Sequence, residues 1–141
     1  MSAIRRTALD RSITPQESAV IRATLEHAAK KSDTSRFASG VDRLHAIGKC
    51  GCGCDSFDFA KHDPARRSQI IADGIGVTPK GSQVGVLIWA TDDAITGLEI
   101  YDLGAGTGDI KLPVPESIHS WKPETPNHAM ERTADRCTLH F

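Results

Sequence analysis

The seven residues Val84-Gly85-Val86-Leu87-Ile88-Trp89-Ala90 constrain the fold more than any other stretch. They are apolar at every position and rich in β-branched side chains, so a strand built from them is covered on both faces and belongs in the interior of a sheet. Trp89 is therefore a core residue first and a platform for a ligand second.

The neighbouring segments supply partners for that strand. Thr78-Pro79-Lys80-Gly81 is a turn, with proline presetting φ and glycine supplying the permissive position, and it implies a hairpin with Ile70 to Val77. The glycines of Ile70 to Val77 imply a bulge or a close neighbour. Beyond Thr91-Asp92-Asp93, the strand Ala94 to Asp102 places Leu98 and Ile100 on one face and Gly97, Glu99 and Tyr101 on the other. Asp55 to Ala60 alternates in the same way, with Phe57 and Phe59 opposite Ser56 and Asp58, and reads as a half-buried strand. Val41 to Lys49 also reads as a strand.

Ahead of these strands lies a helix start: Thr14 as N-cap, Pro15 in the first turn and Glu17 closing a capping box. Ile21, Leu25, Ala28 and Ala29 then recur at helical spacing, with Val20 beside them. A helix followed by a run of strands predicts an α+β fold, one N-terminal helix packed on an antiparallel, meander-like sheet of about five strands. With 141 residues the chain is expected to form one domain, residues 1–121. Four prolines from Pro113 onward predict a surface-running segment ending in a tail, residues 122–141, with Ile118, Trp121 and Met130 as its apolar anchors.

Seventeen basic residues against eighteen acidic ones give a net charge of −1. There is no basic stripe, Arg5, Arg6 and Arg11 read as a solvated arm, and no nucleic-acid partner is expected. No apolar run follows the N-terminal charges and none approaches a membrane span, so a cytoplasmic protein with no membrane partner is expected. Gly104-Ala105-Gly106-Thr107-Gly108 is glycine-rich, but it runs into Ile110-Lys111-Leu112-Pro113 rather than opening a helix, which argues against a phosphate loop.

Cys50-Gly51-Cys52-Gly53-Cys54 is the least ordinary phrase in the chain. An extended backbone lines the three sulfurs up on one face, and a glycine turn gathers them on its inner side. As thiolates they would suit zinc or cuprous copper, with His45, Asp58, His62 or Cys137 as a further ligand. The second cysteine pair of a structural zinc site is missing, as is a Cys-x-x-Cys redox pair. A buried row of small side chains between closely packed segments is the plainer reading.

The cysteine phrase, Ser56, Val84 to Trp89 and Gly97-Leu98-Glu99-Ile100-Tyr101-Asp102 together resemble, in that order, a family of small uncharacterised bacterial proteins, which implies no particular activity. Pro126-Asn127-His128-Ala129-Met130-Glu131-Arg132-Thr133-Ala134-Asp135 resembles peptide encoded where a reading frame runs into the recombination site of an integron gene cassette. That resemblance implies a cassette-encoded protein whose tail was set by DNA recombination.

These observations predict a non-enzymatic binding or interaction module, expected as a homodimer, with a small molecule or a protein as partner and no cofactor. Ser56, Asp58, Glu99 and Tyr101 are the candidate ligand-binding residues, and no catalytic residue is assigned. One alternative is a soft-metal or thiol-dependent protein using Cys50, Cys52 and Cys54. A second is a small-molecule enzyme with a pocket around Glu99.

Overall fold

Thr14 and Glu17 open the helix by exchanging bonds: the Glu17 amide donates to Thr14 Oγ1 (3.1 Å) and the Thr14 amide donates to Glu17 Oε1 (2.9 Å). This capping box starts α1, Pro15–Ala28. The computed structural model describes residues 6–28, 34–51, 54–61, 63–104 and 109–120. Cys52, His62, Gly106, Trp121, Met130, Cys137 and the tail 122–141 lie outside these residues.

In chain order the strands are β1 (Arg6–Ser12), β2 (His45–Cys50), β3 (Phe57–Asp58), β4 (Gln69–Val77), β5 (Gln83–Ala90) and β6 (Ile95–Asp102), with a 3-10 helix at Ser35–Arg43. They form one sheet in the order β1-β2-β3-β6-β5-β4, antiparallel throughout. The α+β prediction therefore holds, with six strands where about five were expected. Val84 to Ala90 is an interior strand, paired on both sides. The Thr78 turn closes its hairpin, with Gly81 at φ +92° and its amide donating to the Thr78 carbonyl at 2.8 Å.

Helix α1 buries Val20, Ile21, Thr24 and Leu25 and packs on β4 and on the 3-10 helix Ser35–Arg43, with further contact to Pro115–Ser117 and β5. The core it covers includes Ala72 of β4 and the inward residues Val84, Val86, Ile88, Leu98 and Ile100, all buried. Thr34 Oγ1 donates to the Leu25 carbonyl at 2.8 Å, satisfying one of the helix's last acceptors. The 3-10 helix adds Phe37 and Val41 to the same core. Asp42 ties it to α1, accepting from Ser18 Oγ (2.6 Å) and Arg22 Nη2 (2.8 Å).

Four expectations need correction. Arg6–Ser12 is the edge strand β1, and Arg11 is no solvated charge: it grips Glu17 with both terminal nitrogens (3.0 and 2.8 Å) and lies 5.1 Å from the centre of the Phe57 ring. Residues 41–43 finish a 3-10 helix, because Phe37 and Val41 enter the core from that conformation, and β2 begins only at His45. The segment around Phe57 is not half-buried, since Ser56 and Asp58 are 0 and 4 % exposed.

The fourth correction concerns residues 113–120, which do not merely run over the surface. The Val114 amide donates to the Val77 carbonyl (2.8 Å), and Ile75 and His119 exchange two backbone bonds (2.9 Å each), so this segment covers the outer edge of β4. Gly74 and Gly76 permit the approach: a Cβ at residue 76 would stand 2.7 Å from Pro113 Cβ. Ile118 is buried as expected. No helix among the described residues is long and apolar enough to cross a membrane.

Candidate functional site

The register sets the residues on the sheet face opposite α1. Asp58 stands across from Gly97 on one side and Gly48 on the other, Leu87 lies across from Glu99, and Gly85 lies across from Tyr101. The alternation read from the sequence placed Glu99 and Tyr101 on this face correctly. Both are buried, at 0 and 3 % exposure. Trp89 Nε1 donates to Glu99 Oε1 at 3.1 Å, a diagonal bond between neighbouring strands. The Tyr101 ring fills the space over Gly85, where an added Cβ would come within 2.1 Å of Tyr101 Cζ. Asp58 fits between two glycines for a similar reason, with Oδ2 3.0 Å from where a Gly48 Cβ would be.

Ser56 serves the sheet itself. The Ile100 amide donates to Ser56 Oγ at 2.9 Å, at the point where the short β3–β6 ladder has ended. Cys54 Sγ reaches the same oxygen at 3.3 Å. Cys50 and Cys54 are both 2 % exposed and pack with Ile110. Among the described residues no three His, Cys, Asp or Glu side chains gather as metal ligands. The four nominated ligand residues thus share a buried sheet region and are bound into it.

A concave surface among the described residues lies elsewhere. A cleft of about 200 Å³ opens between the 3-10 helix and the β5–β6 turn. Buried Phe37 and Ile95, with half-buried Leu44, give it an apolar floor. Arg36 and Arg43 are exposed at its rim, and Arg36 lies 4.7 Å over the Phe37 ring. Among the described residues neither guanidinium forms an ion pair. Asp93, the one carboxylate of the lining, is held by Arg66 and Thr91, and those bonds keep it ionised below the usual carboxylate range.

Comparison with known proteins gives no matching family model, no similar curated protein and no similar solved structure. Geometry alone therefore carries the functional reading. None of the cleft residues was singled out from the sequence as a site. The available signal was Phe37, Gly40 and Arg43 spaced three apart, which a 3-10 helix stacks along one face. It was obscured because residues 41–49 read as a strand, which cuts the spacing at Val41.

Proposed function

We propose that this chain is a non-enzymatic binding module, encoded on an integron gene cassette, that receives a small ligand in the cleft between the 3-10 helix and the β5–β6 turn. The carrying observation is the chemistry of the lining. Guanidinium groups stay protonated at any physiological pH, and the one carboxylate of the lining is already engaged by Arg66 and Thr91, so these groups attract and hold rather than relay protons. Ser56, Asp58, Glu99 and Tyr101 support the sheet behind this surface and line none of the cleft.

A fragment screen by two-dimensional NMR on the full chain tests the reading. Fragments are expected to shift amides of residues 36–44 and 93–95 and to be recovered unchanged after long incubation. Conversion of a fragment, abolished by a change in the cleft, would replace binding with catalysis. The cassette origin rests on the tail phrase Pro126 to Asp135, and sequencing the DNA beyond the reading frame tests it: a recombination site is expected there.

A further inference from the structure

The geometry points to a specific ligand class for that cleft: a small organic anion, carboxylate or phosphate monoester, carrying a compact apolar body. This inference rests on the binding-module reading and deepens it. Arg36 and Arg43 both border the cleft, and the single opposing charge, Asp93, is already neutralised by Arg66. The local field is therefore positive. A guanidinium fork matches the two oxygens of a carboxylate or phosphate, and such bonds are about twice as strong as neutral ones.

Beneath the charges, Phe37, Leu44 and Ile95 offer an apolar surface to the rest of the molecule. The cleft has a volume of about 200 Å³. It lies below the roughly 300 Å³ at which sites for drug-sized ligands begin, so the ligand is of metabolite size. Gly40 leaves this space open. A Cβ there would meet no atom within 4 Å, and the residue is not among those with positive φ, so a side chain at residue 40 leaves the backbone into open space beside the cleft lining.

The test uses the full chain and four probes of one shape: benzoate, phenyl phosphate, neutral benzamide and cationic benzylamine. Amide shifts at residues 36–44 and 93–95 report occupancy. The two anions are expected to bind at least roughly tenfold tighter than benzamide, a difference that one charge-assisted contact supplies. Benzoate and phenyl phosphate then show which anion is preferred. Arg43→Gln is expected to remove most of the anion preference while leaving benzamide binding in place, and added salt should do the same. Gly40→Leu is expected to abolish occupancy by every probe with an unchanged melting temperature. Equal binding of anion, neutral and cation in the cleft would overturn the anion assignment and leave the binding reading standing. Shifts confined to residues outside the cleft would overturn both.

Discussion

The ring of Tyr101 occupies the place that a side chain on Gly85 would need. The two residues are register partners on β6 and β5, and an added Cβ would lie 2.1 Å from Tyr101 Cζ, closer than any non-bonded contact allows. Gly85→Ala must therefore evict a buried aromatic ring. A destabilisation of about 3 kcal/mol is expected, at the upper end of overpacking costs. Urea unfolding measures it, and adding Tyr101→Ala should make the pair of changes less costly than the sum of each alone. Additive costs would mean the ring is not where it is described.

Glu17 gives a prediction in pH. Burial raises its pKa, but the Arg11 guanidinium and the Thr14 amide outweigh that and hold the carboxyl below its ordinary value. Since the folded pKa is the lower one, the unfolded chain takes up the proton first as pH falls. The stabilisation is complete above the ordinary carboxylate value of about 4.3 and is lost as pH falls through the folded-state pKa. Glu17→Gln should cost about 1 to 2 kcal/mol at neutral pH and flatten the acid limb of the stability curve. An acid limb identical to that of the parent protein would remove Glu17 from this role.

Ser56→Ala separates a ligand residue from a structural one. It leaves the buried Ile100 amide without its 2.9 Å acceptor, which should cost about 1 to 3 kcal/mol. Chemical denaturation reads the loss directly, and fragment binding in the cleft should be unaffected. Loss of binding with full stability would restore Ser56 as a site residue.

The buried thiols predict slow chemistry. Cys50 and Cys54, each 2 % exposed, should react with a thiol reagent far more slowly in the native protein than in the unfolded chain. Mass spectrometry after timed labelling gives the rate for each residue. One bound equivalent of zinc, lost in Cys50→Ser and Cys54→Ser alike, would replace this reading with the metal alternative.

How much of this was legible in advance depends on the range of the interactions involved. The Thr14 cap, the Thr78 turn and the alternation along β6 are set by residues within a few positions of one another, and each was readable. Arg6 to Ser12 shows no apolar period and becomes a strand only by pairing with β2, so nothing local announced it. Alternation also placed Glu99 on the correct face without saying whether that face was covered. The cleft is built from Arg36 to Leu44 and Asp93 to Ile95, segments remote in the chain and given different roles by local pattern. Its residues were visible individually and their meeting was not.

The bridge between Ile75 and His119 has a consequence during synthesis. β4 leaves the ribosome well before the residues that will shield its outer edge, and until they emerge its amides and carbonyls form an open template for another chain. A chain terminated after Leu112 would keep that template permanently and should sediment as associated material, whereas one ending at Ser120 retains the shield and should remain dispersed.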